Sequence, residues 1–196
     1  MAETTPDGFP TDRLPRTELR KQLLRRRDEF IASNGFHAAE RALAGHLRGL
    51  LHALQPICLG VYWAVRGEFN ALSVLQIPLR RHTTLALPAS CRVPCEMHFR
   101  VWNGRPPTVV DAWGIPTADG PVVVPDVVLV PCVGYTRSGW RLGYGGGYFD
   151  RWLAAHPQAT AVGVGWSVSE IGETTFAVEA HDVPLALVVT ENGVLL

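Results

Sequence analysis

The stretch Trp140–Leu153, "WRLGYGGGYFDRWL", gathers the residues best able to do chemistry. Glycines stand at 143, 145, 146 and 147, flanked by Arg141, Asp150 and Arg151. Without Cβ atoms, successive backbone N–H groups can turn toward one point. A helix starting straight after them, at Tyr148, adds free N–H groups and the positive end of its dipole. Such a set suits a phosphate chain. Arg141 can bind phosphate as a fork. Asp150 can hold a magnesium ion against the same phosphates, directly or through water. The alternative is a glycine-rich turn with Arg141 and Asp150 paired on the surface, since the dipole alone favours Asp in a first helical turn. The run is not the dinucleotide-binding fingerprint, because Tyr148 stands at the sixth position counted from Gly143. It is not a P-loop either, because no Gly-Lys-Ser/Thr follows.

The elements that must carry this loop are readable from periodicity. A helix is expected from Pro15, with Leu19, Leu23, Phe30 and Ile31 on its stripe and a stop at Gly35. A second helix is expected from Ala38 to Leu54, closed by Pro56. Runs at 57–63, 83–88, 95–102, 126–131, 160–166 and 185–190 read as strands, and 73–81 reads as a helix. "DVVLVP" (126–131) has no polar face, as a strand covered on both sides requires. The loop from Asn103 to Pro125 lacks a period, and its length marks it as functional. These elements predict an α/β fold: a single three-layer domain over 15–196, its mostly parallel sheet covered by helices on both faces, with a loose arm over 1–14. In such sheets ligands bind beyond the carboxyl ends of the strands, which is where the glycine loop falls.

The bulk properties agree. The chain has 196 residues, 47% of them hydrophobic, and its 18 basic and 18 acidic residues cancel. Disorder, a nucleic-acid partner and a membrane surface are therefore not expected. No apolar run reaches the roughly 18 residues of a membrane span, and the polar, proline-broken start lacks a signal-peptide core. A cytoplasmic monomer is expected. The four cysteines, Cys58, Cys91, Cys95 and Cys132, read as small core residues. Cys91 and Cys95 lack the second ligand pair that a zinc site needs.

"VLVPCVGYTRSGWRLGYGGGYFDRWLA" resembles the signature of the 5-formyltetrahydrofolate cyclo-ligase family, also called methenyltetrahydrofolate synthetases. The resemblance extends from Arg16 to about Glu191. It implies ATP-dependent closure of 5-formyltetrahydrofolate to 5,10-methenyltetrahydrofolate, with magnesium as cofactor and ATP and a reduced folate as small-molecule partners. It places ATP on the loop formed by Arg141, Leu142, Gly143, Tyr144 and Gly145, and on Gly146, Gly147, Tyr148, Phe149 and Arg151 beyond it. The family has a Lys-x-x-Leu-Arg pattern on phosphate where this chain has "RTELR", which implicates Arg16 and Arg20.

By the same resemblance Glu68 binds the pterin and Trp63 lines its pocket. Trp113, Gly146 and Tyr148 contact the folate, Arg141 and Tyr148 serve turnover, and Asp150 serves the metal. From the residues alone, Glu68 reads as a loop carboxylate, Trp113 as a core cap, and Arg16 and Arg20 as part of a solvated basic face. Thr136 and Ala186 stand where the family usually has Asp. The competing reading is a folate- or nucleotide-binding paralogue without turnover, acting as a sensor or reservoir.

Overall fold

The computed structural model describes residues 14–75, 83–175 and 177–195. Pro15 precedes helix α1 (Arg16–Ile31), whose buried stripe is Leu19, Leu23 and Arg27. Helix α2 (Phe36–Leu54) buries Leu43, Leu47 and Leu51, and Gln55 ends it in the left-handed region just before Pro56. Strand β1 (Cys58–Gly60) is shorter than the run 57–63 suggested, because the chain leaves the sheet after the Val61 amide has bonded Ala86 O, to build a loop. Of the helix expected at 73–81, a single 3₁₀ turn (Ala71–Val74) is seen, and 76–82 lie outside the described residues, as does the arm up to residue 13.

Strands β2 (Thr84–Ser90) and β3 (Met97–Trp102) follow. The aperiodic stretch 103–125 contains three two-residue strands: β4 (Val109–Val110), β5 (Pro116–Thr117) and β6 (Val122–Val123). Then come β7 (Val127–Pro131) and a small hairpin of β8 (Gly134–Tyr135) and β9 (Arg141–Leu142). Helix α3 (Tyr148–Ala155), β10 (Thr160–Val164), β11 (Leu187–Thr190) and β12 (Gly193–Leu195) complete the order.

The main sheet has eight strands in the order β12-β11-β10-β7-β1-β2-β3-β6. Its five central strands run parallel, while β12, β3 and β6 pair antiparallel at the margins. The pleat of β7 explains its unbroken apolar run. Val127 and Leu129 meet the α2 leucines on one face. Val128 and Val130 meet Trp152 of α3 on the other. The layered α/β fold predicted from periodicity is the one observed.

The chain passes from β1 to β2 in one direction, then returns to lay β7 on the opposite side of β1. The loops leaving the carboxyl ends of β1 and β7 therefore diverge and open a crevice. Helix α1 packs Leu19 and Leu23 on Val133, Leu142 and Ile171 beside that crevice, not on the sheet.

Candidate active site

A cleft of about 770 Å³ opens at this divergence. The loop after β1 supplies Tyr62, Trp63 and Glu68. The glycine loop after β9 supplies Gly143–Gly147, and the first turn of α3 supplies Tyr148, Phe149 and Asp150. Helix α1 adds Arg16 and Arg20, and the 103–125 stretch adds Trp113.

The glycines have a physical reason beyond the free amides. Gly145 (φ +98°) and Gly147 (φ +63°) occupy backbone conformations that side chains disfavour. Each glycine also clears space for a neighbouring group. A Cβ on Gly143 would lie 2.8 Å from Arg141 Nη1, one on Gly145 would lie 3.3 Å from Arg20 Cζ, and one on Gly146 would lie 2.8 Å from the Tyr148 ring. The missing side chains let guanidinium groups and a ring press against the backbone of the loop.

Arg20 Nε donates to Gly143 O at 2.7 Å, with the rest of its guanidinium against Gly145. Burial, and then the charge of Arg16, lower its pKa, so Arg20 is a cation that gains from a nearby anion. Arg16 is held differently. It donates from both terminal nitrogens to Asp182 and lies 3.2 Å from Glu179. Burial alone would raise the Asp182 carboxyl. The hydrogen bond and charge from Arg16, with the Glu179 amide, outweigh burial and leave it below the usual carboxylate range.

Arg141 and Asp150 are paired at 2.9 Å, but the pair is buried and not on the surface. Their side chains are 4% and 14% exposed. Arg141 Nε is buried without a hydrogen-bond partner. Asp150 Oδ1 makes one long contact, to the Val183 amide at 3.5 Å. Asp150 is thus a single carboxylate with one oxygen committed to Arg141. Among the described residues no group of three His, Cys, Asp or Glu converges as a metal cage. This donor set fits magnesium carried on phosphate oxygens, which commonly needs one or two protein carboxylates.

In the loop after β1, Glu68 Oε2 accepts from the Val65 amide at 2.9 Å. Its Oε1 is buried and accepts nothing. Burial raises the Glu68 pKa, opposed by the Val65 amide, the Arg27 charge and the Tyr144 hydroxyl. An unpartnered carboxylate oxygen in a cleft that Trp63 also lines suits a ligand bearing N–H donors. Trp113 is half-exposed and packs edge-on against Tyr148, with ring centroids 6.2 Å apart. Trp113 Nε1 donates to Tyr148 Oη at 2.8 Å, and Tyr148 in turn donates to Cys91 O. The two rings meet at 76° and form an aromatic corner beside the glycines.

Two expected contacts lie elsewhere. Leu142 turns into the cluster beneath α1 and is 1% exposed, because its neighbour on the hairpin faces the cleft. Arg151 reaches back to Cys95 O and Gly146 O, bracing the loop from outside. Cys91 and Cys95 are exposed, not core. Thr136 is buried and closes the β8–β9 turn by accepting from the Trp140 amide, while Ala186 is exposed and does not line the cleft.

Sequence reasoning missed Arg27. It stands eight residues after Leu19 and four after Leu23, on the buried stripe of α1. A charged residue in register with an apolar stripe was the available signal.

The fold and cleft define a class: an α/β protein whose cleft gathers guanidinium groups, bare glycine backbone, aromatic rings and a buried carboxylate. The chain belongs to the 5-formyltetrahydrofolate cyclo-ligase family, whose profile matches residues 14–191. It is 30% identical over 186 residues to the 5-formyltetrahydrofolate cyclo-ligase of Mycolicibacterium smegmatis, covering 89% of this chain and 93% of that one. The solution structure of Aquifex aeolicus 5,10-methenyltetrahydrofolate synthetase superposes with a TM-score of 0.71 at 28% identity, over 93% of this chain and 92% of that one. A Mycoplasma pneumoniae 5,10-methenyltetrahydrofolate synthetase shares the fold, with a TM-score of 0.71 at 20% identity over 91% of this chain and 99% of that one.

Proposed function

We propose that this chain catalyses ATP-dependent conversion of 5-formyltetrahydrofolate to 5,10-methenyltetrahydrofolate. The observation that carries the reading is the convergence of cations, bare glycine backbone and a carboxylate on one cleft. Arg20 and Arg141 sit against the glycine loop, and Glu68 offers an unpartnered buried oxygen to the same cleft.

In the proposed reaction the formyl oxygen attacks the terminal phosphorus of ATP, and the bond to the ADP oxygen breaks. The formyl carbon, now bearing a phosphate as leaving group, is attacked by nitrogen 10. That nitrogen loses its proton, the carbon–oxygen bond breaks and inorganic phosphate departs. No protein nucleophile is needed, so catalysis rests on aligning two substrates and offsetting phosphate charge.

The glycine-loop amides and Arg20 hold the phosphates. Arg141, fixed by Asp150, faces the transferring group. Asp150 would hold, through Oδ1, a magnesium ion carried by the nucleotide, and that ion would supply further charge neutralisation. Glu68 accepts from N–H groups of the pterin, and Trp63, Trp113 and Tyr148 flank its plane. Thr136 and Ala186, the positions that favoured a paralogue without turnover, have no contact with the cleft, so they do not weaken the enzyme reading.

Mixing the protein with magnesium, ATP and 5-formyltetrahydrofolate tests the proposal. Near-ultraviolet absorbance of the methenyl product with stoichiometric ADP is the expected result. Saturable binding of both ligands with no product would replace the enzyme with the binding paralogue.

A further inference from the structure

Arg27 is one of the largest fully buried side chains, 1% exposed. Nothing in its chemistry favours that site unless its donors are used. Nη2 donates to Cys132 O at 2.5 Å, just past β7. Nη1 faces Tyr144 Oη at 3.2 Å and Arg66 O at 3.4 Å. The aliphatic stem lies under Gly67, whose added Cβ would meet Arg27 Cδ at 3.5 Å. One guanidinium therefore touches the loop after β1, the end of β7 and the glycine loop.

We propose that Arg27 is a positioning residue that ties the loop after β1 to the glycine loop and so holds the Glu68 carboxylate and the Tyr144 hydroxyl against each other at the floor of the cleft. The family assignment does not depend on it, and the ligand at that floor is taken from the proposed function.

The electrostatics of the floor follow from this placement. The charged and titratable groups around Glu68 are Arg27 from α1, Tyr62 and Arg66 from the loop after β1, Cys132 after β7 and Tyr144 from the glycine loop. Arg27 is the fully buried cation among them. Arg66 leans outward over the Tyr144 ring at 5.7 Å. Burial, and then Glu68, push the Tyr144 hydroxyl up to about 12, while Arg27 pulls it back. Removing Arg27 should move both groups further from their ordinary values and loosen Tyr144.

The experiment compares Arg27→Met, Arg27→Lys and Tyr144→Phe with the unaltered chain. Carboxyl carbon NMR of protein labelled at glutamate follows Glu68 directly and needs no ligand. Arg27→Met should shift the Glu68 titration upward by about one unit or more, the effect of losing a nearby opposite charge. Tyr144→Phe should shift it the same way by less, and Arg27→Lys should restore most of the shift. In turnover assays, Arg27→Met should raise the KM for the folate more than it lowers kcat.

An unchanged Glu68 titration in a folded Arg27→Met protein overturns the proposal. If Arg27→Met does not fold, an unchanged titration in Tyr144→Phe overturns it. If the unaltered protein shows no turnover but the titration moves as stated, the proposed function fails and the positioning role stands.

Discussion

Glu68→Gln should stabilise the protein while abolishing its activity. Glu68 Oε1 is buried and accepts no hydrogen bond. Burial raises its pKa despite the opposing Val65 amide and Arg27 charge. The folded state therefore binds a proton more readily than the unfolded chain, whose glutamates titrate near about 4.3. By linkage, this group lowers stability as pH rises from the unfolded pKa through the folded one, and the full penalty persists above both. Below the unfolded pKa it contributes nothing.

Glutamine resembles the protonated carboxyl and removes the penalty. An unsatisfied buried acceptor costs about 1–3 kcal/mol, and glutamine recovers only part of this, because its amide donors stand near the Arg27 cation. A gain of about 1 kcal/mol at pH 8 corresponds to roughly 2–4 °C in Tm for a chain of this size.

The assay is calorimetric unfolding of both proteins at pH 8 and near pH 4, alongside folate turnover. Glu68→Gln should melt higher at pH 8, lose the advantage at pH 4 and turn over no folate. A variant that melts lower at pH 8 would refute the reasoning, since it would mean that Arg27 relies on Glu68 more than Glu68 suffers from burial. An advantage independent of pH would refute it too.

Gly145→Ala places a side chain at φ +98° and 3.3 Å from Arg20 Cζ. Strain of about 1–3 kcal/mol should lower Tm by several degrees and weaken nucleotide binding more than folate binding in titration calorimetry. Arg20→Ala should cost more nucleotide affinity than Arg16→Ala, because Arg16 already satisfies Asp182 and Glu179; equal losses would contradict this ordering. Asp182→Asn should lower stability at neutral pH by about 1 kcal/mol. Its folded pKa is depressed, so that difference should shrink as pH falls through the folded pKa, and urea titrations at pH 7 and pH 3 would show it.

Regular elements were legible where one period dominated. The start of α3 at Tyr148, the doubly covered β7 and the α1 stripe all follow from apolar spacing and from glycines placed before a helix. The stretch 103–125 was opaque because two-residue strands carry no period; β4 and β5 are defined by each other and β6 by β3. The shortening of β1 at Gly60 depends on the loop to Glu68, which Arg27 and Trp166 fix from distant parts of the chain. Arg27 itself was hidden by the company of Arg25 and Arg26, although its register with Leu19 and Leu23 set it apart. The glycine loop was legible as a place but not as a mechanism: what occupies the space of each absent Cβ is a tertiary fact.

Among the described residues, Arg27 Nε, Glu68 Oε1 and Arg141 Nε are buried without a partner in groups that line or underpin one cleft, while Tyr135 Oη and Ser169 Oγ are unpartnered away from it. A core optimised only for stability would pair such atoms or replace them with apolar groups. These groups instead stay charged or polar, each with one buried atom left without a partner, where the loops after β1 and β7 part. A polyanion entering along the glycine loop and a ring system bearing N–H donors entering beside Trp63 would each relieve part of that deficit. Binding of either ligand then draws on free energy withheld in folding, so the residues that make this site costly are the ones expected to bind.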